Sequence, residues 1–317
     1  MSEFDLIRRY FTRPAPNSLL GVGDDAALVQ TSPGNVLAVS SDMLVCGTHF
    51  LANTDAFSLG HKTLAVNLSD MAAMGATPRW ATLAIALPEA DEAWLAQFSA
   101  GFFALAERHG TELIGGDTTK GPLNLCVTIF GEVPAHLALR RSGAKMGDEI
   151  WVSGCLGDAA LALAHLQGRI VLAEAALAAT LPALHQPQPR VELGLALRGI
   201  ASSAIDISDG LLGDLGHILE ASNVAAQLDF AALPISVTLR GFLSNPSAAR
   251  YILCGGDDYE LCFTAPVAMH GQILSIAARL ALPLTSIGKI TAGSGCVVQD
   301  AFANPLTMES SGYDHFR

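Results

Sequence analysis

No stretch of this 317-residue sequence reaches the roughly 18 uninterrupted apolar residues that a membrane-spanning helix needs. The opening residues, MSEFDLIRRYF, also lack the basic end, apolar stretch and small-residue cleavage site of a secretory signal. A soluble, cytoplasmic protein with no membrane partner is the expectation. Cysteine is scarce and unpatterned: Cys46, Cys126, Cys155, Cys254, Cys262 and Cys296 form no C-x-x-C pair. That excludes a zinc or disulfide framework and suits a reducing compartment. Basic residues are few as well, 18 Lys and Arg against 30 Asp and Glu, for a net charge of −12. Broad electrostatic binding to nucleic acid is thereby excluded. A phosphate ligand would need its charge neutralised by something else. The usual phosphate loop, G-x-x-x-x-G-K-[ST], is missing, since LGHKT at 59–63 has its lysine in the wrong frame. Neither a protein-kinase catalytic loop nor a D-x-[DN]-x-[DN]-G calcium loop occurs.

What is present supports a large core. Half of the residues are hydrophobic, and the length exceeds the usual single domain, so two domains are expected. Apolar periodicity predicts strands at 36–42, 80–88, 111–117 and 123–133, with helices at 59–76 and 93–110, the second stopped by Gly110. Composition turns charged and glycine-rich at RRSGAKMGDEI (140–150), which places the boundary between a domain of residues 1–140 and one of 141–317. Beyond it come the strand EIWVSG, Ala/Leu-rich helices over 158–180, a break at HQPQP, a helix at 190–200, and the segment DISDGLLGDLGHILEAS. That last segment reads as a loop feeding a helix capped by Ser208 or Asp209. GGDDYELCFTAP and TSIGKITAG are read as closing strands. Alternating strands and helices give an α/β or α+β protein. The L-x-GGD segments in both halves hint at internal duplication.

Aspartate outnumbers glutamate, and much of it recurs in one setting, at what read as the ends of apolar runs: GVGDD (21–25), SSD (40–42), NLSD (67–70), LIGGDTTKG (113–121), DISDG (206–210) and GGDD (255–258). Each alone reads as a turn or a helix cap. An ionised group is costly to bury unless it is paired or coordinated, and few cations stand nearby in sequence. A metal site is the economical account of six such tips. Oxygen ligands without a Cys/His cluster point to magnesium, and magnesium held by few carboxylates completes its shell with water and phosphate oxygens. In DISD, Asp206 and Asp209 can share a site only if the strand has ended by Ile207.

These motifs together resemble the thiamine-monophosphate kinase family. The resemblance runs in order through GVGDDAAL, SSDMLVCGTHF, HKTLAVNLSDMAAMGA, LIGGDTTKG, RSGAKMGD, AIDISDGLLGDLGHIL, GGDDYELCFT and GYDHF. Relatives of that family are aminoimidazole-ribonucleotide synthetase, selenophosphate synthetase and a hydrogenase-maturation protein. The resemblance implies a two-domain synthetase-like fold. Its N-terminal ATP- and Mg-binding sheet would form a barrel across a homodimer, and an α/β domain would follow. It implies Mg2+ ions held by Asp25, Ser40, Ser41, Asp42, Asp70, Asp117, Asp206 and Asp209. ATP would be contacted by Gly116, Asp117, Arg141 and Ser208, and thiamine monophosphate by His49, Asp257 and Tyr313. Asp257 stands where the family often has Glu, Met146 where proline is common, and His109 where some members carry an aromatic near the nucleotide.

The activity so implied is ATP-dependent phosphorylation of thiamine monophosphate to thiamine diphosphate, by direct in-line transfer with no separate general base. Two other readings compete with it. One is another ATP-using synthetase of the superfamily, although selenide chemistry would favour a reactive cysteine near the N-terminus and the first cysteine is Cys46. The other is a non-catalytic metal- or nucleotide-binding module.

Overall fold

Alternating strand-forming and helix-forming runs resolve, in the computed structural model, into a mixed α/β chain of two compact units; residues 3–306 and 312 are described. One unit comprises the residues up to Met71 with Ala76–His136, and the other Ala72–Gly75 with Leu137 onward.

The first unit contains α1 (Glu3–Leu6), β1 (Asn35–Val45), α2 (Ala56–Ala73), β2 (Thr77–Leu87), α3 (Glu92–His109), β3 (Glu112–Lys120) and β4 (Asn124–Pro134). Its sheet runs in the order β1-β4-β2-β3, with β2 and β3 parallel and the other pairs antiparallel. The sheet is open, with β1 and β3 at its edges. Leu64, Leu68, Met71, Trp80, Phe98 and Phe102 are fully buried in its core. Two glycines set the spacing of the long helices. A Cβ on Gly60 would lie 2.0 Å from the Phe98 carbonyl, and one on Gly101 would lie 1.9 Å from that of Phe57. Neither position tolerates a side chain, so α2 and α3 touch backbone to backbone. Asp91 caps α3 by accepting from the amides of Ala93 and Trp94, and Gly110 closes it at φ 63°, where the sequence places the stop.

The second unit contains β5 (Glu149–Ser153), α4 (Asp158–Leu166), α5 (Glu174–His185), α6 (Val191–Ala196), β6 (Ser203–Asp206), α7 (Leu211–Ser222), β7 (Ala225–Asp229), α8 (Val237–Arg240), α9 (Ala248–Cys254), β8 (Leu261–Ala265), α10 (His270–Leu280), β9 (Leu284–Thr291), β10 (Gly295–Gln299) and β11 (Pro305–Leu306). Its seven strands run β11-β10-β7-β9-β5-β8-β6. Ile150, Val152, Leu211, Leu215, Ile218, Cys262 and Ile287 fill the core under α7.

Two of the six carboxylate segments lie inside strands that run on past them. Ser40, Ser41 and Asp42 lie inside β1 and Asp117 lies inside β3, opposite Ala84 of β2, while Asp70 lies in the last turn of α2, within the helix expected over 59–76. An edge strand can turn polar halfway along because its outer side faces water, so the apolar run ends before the strand does. The two L-x-GGD segments are also unlike: one is strand, whereas Gly255 to Asp257 form a loop after α9. Duplication finds no support there.

Candidate active site

In the first unit the strand period sorts the SSD triplet. Ser40 and Asp42 are half-buried on one face of β1, and Ser41 is exposed on the other. The Ser40 hydroxyl donates to Asp70 Oδ2 at 2.5 Å, joining β1 to the end of α2. Ser41 Oγ instead meets Thr128 Oγ1 of β4 at 3.0 Å. Ser40, Asp42 and Asp70 therefore form one oxygen-bearing edge, which Ser41 could join only through its main chain.

Asp117 owes its presentation to the glycines before it. The register between β2 and β3 slips between Ala81 and Thr82, leaving Ile114 as the extra residue of a bulge. Gly116 sits at φ 147°, and a Cβ there would lie 1.9 Å from the Leu83 carbonyl. Only glycine fits, and the chain re-emerges with Asp117 exposed on the edge strand.

Asp25 is exposed in the long loop before β1, its amide held by Asp24 Oδ1 at 3.0 Å. Asp24 is thus the turn partner. Two buried glutamates, which sequence reading passed over, pin that loop at both ends. Glu112 Oε1 accepts from the Asn17 amide at 2.8 Å and its side-chain nitrogen at 2.7 Å. Glu132 accepts from the Ser32 amide, from Ser32 Oγ at 3.0 Å and from Arg79 Nε at 3.0 Å. Burial pushes the Glu132 carboxyl up, but the Ser32 bonds and the Arg79 guanidinium outweigh it and hold the group below the usual glutamate value. His49 occupies the turn after β1, where its Nδ1 accepts from the Val45 amide at 2.9 Å. The neutral ring therefore carries its proton on Nε2.

In the second unit β6 ends at Asp206, which is the condition for Asp206 and Asp209 to share a site. Asp206 is buried, and Ser208 and Asp209 are half-buried. Neither Ser208 nor Asp209 caps α7; its N-cap is Gly210, at φ 115°. Asp214, one turn into the helix, supplies the bonds: its Oδ2 accepts the amides of Ser208, Asp209 and Gly210 at 3.0, 3.0 and 3.1 Å. Burial pushes the Asp214 carboxyl up to about 7, with Asp206 and Asp209 adding to the rise and the amide bonds opposing it.

The GGDDYE loop is laced to the same segment. Ile207 donates to Glu260 O, Tyr259 to Ile207 O and Asp257 to Ser208 O, each at 2.8 Å. Asp257 and Tyr259 take left-handed backbone, φ 69° and 48°, which is costly for any residue other than glycine. Between them Asp258 turns inward, and both its oxygens accept the Gly157 amide at 3.0 Å. Burial drives the Asp258 carboxyl well above the ordinary aspartate value. Glu260, buried, receives the Arg190 guanidinium through both oxygens, with Nε at 2.6 Å, together with Ser153 Oγ. These inward carboxylates brace the loop that carries Asp257.

Arg141 is exposed, and its main chain is tied to the far end of α7: the Ser222 hydroxyl donates to Arg141 O at 3.3 Å and accepts from Gly143 and Ala144. Twelve helical residues, roughly 18 Å at 1.5 Å per residue, separate that end from Ser208. Tyr313 lies outside the described residues. Its neighbour Gly312 is described, and a Cβ there would stand 3.0 Å from the Asp209 carbonyl, so Gly312 sits against the DISDG loop.

Residues 23–133 match the AIR synthase related protein N-terminal domain and residues 145–301 the corresponding C-terminal domain. The chain is 49% identical over 320 residues to thiamine-monophosphate kinase of Escherichia coli K12, covering 99% of this chain and 98% of that one. Among solved structures, thiamine-monophosphate kinase from Stenotrophomonas maltophilia K279a is similar at 51% identity and TM-score 0.85, covering 93% of this chain and 94% of that one. AaThiL complexed with AMPPCP and TMP is similar at 29% identity and TM-score 0.78, covering 99% and 96%. The chain belongs to the thiamine-monophosphate kinase family of AIR synthase related proteins.

Proposed function

We infer that the chain transfers the γ-phosphoryl group of ATP to thiamine monophosphate, giving thiamine diphosphate. The observation that carries this reading is the 49% identity to a thiamine-monophosphate kinase over 99% of the chain. The similar AMPPCP and TMP complex supports both ligands.

The acceptor is a phosphate monoester with a second pKa of about 6, so at pH 7 it is largely dianionic and needs no general base. Repulsion is the obstacle, since two unit charges about 4 Å apart cost about 4 kcal/mol at an effective dielectric near 20. A chain with 18 basic and 30 acidic residues is poorly placed to supply the missing positive charge itself. Its oxygen donors fit magnesium: the Ser40–Asp70 pair, with Asp42 on the same strand face as Ser40, presents hard oxygen ligands only. Among the described residues no three His, Cys, Asp or Glu side chains gather closely enough to hold an ion alone. A magnesium ion held by few protein oxygens would complete its shell with phosphate oxygens and water. When bound, magnesium would screen the phosphates and favour in-line transfer.

Asp25, Ser40, Ser41, Asp42, Asp70 and Asp117 from residues 1–140, with Asp206 and Asp209 from 141–317, are the assigned metal ligands. Gly116, Asp117, Arg141 and Ser208 are assigned to ATP. Arg141 and Ser208, at opposite ends of α7, would then hold different parts of the nucleotide. His49, Asp257 and Tyr313 are assigned to thiamine monophosphate. A homodimer whose N-terminal sheets close a shared barrel belongs to the same reading. Its support is the edge strand β1, which exposes Val36, Leu37, Val39 and Met43.

The test is ADP formation with magnesium and ATP, with and without thiamine monophosphate, and with thiamine diphosphate identified as product. Acceptor-independent ATP consumption would overturn the assignment. Transfer without a phosphoenzyme requires inversion at a chiral γ-phosphate; retention, or a trapped aspartyl phosphate, would refute it.

A further inference from the structure

Asp214 has no part in the assignments above, yet it is 4% exposed and one of its oxygens collects three successive amides. An ordinary helix cap behaves differently, as this chain itself illustrates. Asp91 precedes α3 and accepts from Ala93 and Trp94, the helix's own first-turn amides. Asp214 lies inside α7 and reaches backward, to Ser208, Asp209 and Gly210, which precede the helix. Its own amide donates to Gly210 O at 3.0 Å and closes the first turn. Three amides converging on one oxygen make a nest, and here the protein fills it with its own carboxyl group.

The carbonyls of the same segment are also committed: Ile207 O accepts from Tyr259 and Ser208 O from Asp257, both at 2.8 Å. The segment is thus held from two sides, the amides of Ser208, Asp209 and Gly210 by Asp214 and the carbonyls of Ile207 and Ser208 by the GGDDYE loop. Removing Asp214 frees one side of the lacing without deleting any assigned ligand side chain.

We propose that Asp214 is a positioning residue for phosphoryl transfer, fixing Ser208 and Asp209 for magnesium and nucleotide through their main chain without touching either. The proposal rests on the assignment of Ser208 to ATP and Asp209 to metal.

The test compares Asp214→Ala and Asp214→Asn with Asp91→Ala, which removes an ordinary cap. Binding of Mg2+ with a non-hydrolysable ATP analogue is read by calorimetry, melting by circular dichroism, and the Mg2+ dependence of turnover by ADP formation. Asp214→Ala is expected to weaken Mg-nucleotide binding about tenfold or more and to raise the half-saturating Mg2+ by a similar factor. Asp214→Asn keeps an oxygen but loses the charge, and should fall in between. Asp91→Ala should lower the melting temperature and leave binding and Mg2+ dependence alone. If the Asp214 variants melt lower but bind Mg-nucleotide within twofold of wild type, Asp214 is only a cap and the proposal is overturned. Should Asp214→Ala fail to fold, the Asn variant decides by the same limit. Ser208→Ala and Asp209→Asn separate the two failures. If these also bind normally, the ligand assignment is wrong and the proposal falls with it; if they lose binding while the Asp214 variants do not, the proposal fails alone.

Discussion

The amide of Asp257 donates to the carbonyl of Ser208 at 2.8 Å while Asp257 itself sits at φ 69°. The proposed substrate carboxylate is therefore held in a costly backbone state by the segment proposed to hold ATP and metal. Left-handed backbone at a side-chain-bearing residue is a cost kept where geometry demands it. Asp257→Gly should relieve it and raise stability by about 0.5–1 kcal/mol, less the entropy of the added glycine. The same variant should raise the KM for thiamine monophosphate well above its effect on ATP. Thermal melting and the two KM values check this. A destabilised variant with unchanged KM values would remove both strain and substrate contact from Asp257.

Asp117 emerges from a bulge that only glycine permits at position 116. Asp117→Asn preserves shape and the β3 ladder, so melting should stay within about 0.5 kcal/mol, as for an exposed substitution. Turnover should fall about a hundredfold or more, in line with the loss of an electrostatic group acting at the transition state. Gly116→Ala should damage both, because its Cβ would meet the Leu83 carbonyl at 1.9 Å. Near-normal Asp117→Asn activity at ordinary magnesium would take this residue out of the site.

Glu132 ties Ser32, at the end of the Asp25 loop, to β4. Its carboxyl sits below the usual 4.5 in the fold because the Ser32 bonds and Arg79 outweigh burial. A carboxyl with a depressed folded-state pKa contributes stability that is fully present above its unfolded value and is lost as pH falls through the folded value. Glu132→Gln should therefore cost about 1–3 kcal/mol near neutrality. The gap in melting temperature between wild type and variant should close as the pH falls below 4.5. A gap that is constant from pH 7 down to about 3 would mean that the charge is not what pins the loop.

The order of strands and helices from β1 to β4 was legible because it depends on local periodicity, whereas β6, β7 and α10 of the second unit were not. Gly110 ends α3 where the sequence places it, whereas the short strand β6 before Asp209 was legible only as a condition. The settings of Asp42 and Asp117 were not legible, since a polar residue after an apolar run reads as an end, whereas Asp70 lies inside the helix expected over 59–76. β1 and β3 both continue along exposed edges, so each outlasts its apolar run. The inward carboxylates were hidden for another reason. Glu112 and Asn17 stand 95 positions apart, and Glu260 and Arg190 stand 70 apart, so no local pattern marks them. Asp214 alone left a local signal, an acid within the first turn of a helix that follows DISDG.

The edge of β1 makes the last prediction. On one side β1 is paired with β4 along all eleven residues. On the other it is the end of the sheet, with Val39 56% and Met43 53% exposed. An extended apolar edge is a template for pairing, and closing two such sheets into one barrel removes it. If β1 meets its copy, burying Val39 contributes about 1–2 kcal/mol to association. Val39→Lys would place a charge in that contact and should weaken the dimer about a hundredfold or more, with circular dichroism unchanged. Light scattering after size exclusion at micromolar protein should then find the wild type at twice its 33.0 kDa chain mass and the variant at about one. Ser40 is the next residue along the strand, so turnover should fall with the dimer. A wild type that is monomeric at these concentrations, or a Val39→Lys variant that stays dimeric, would exclude β1 as the contact.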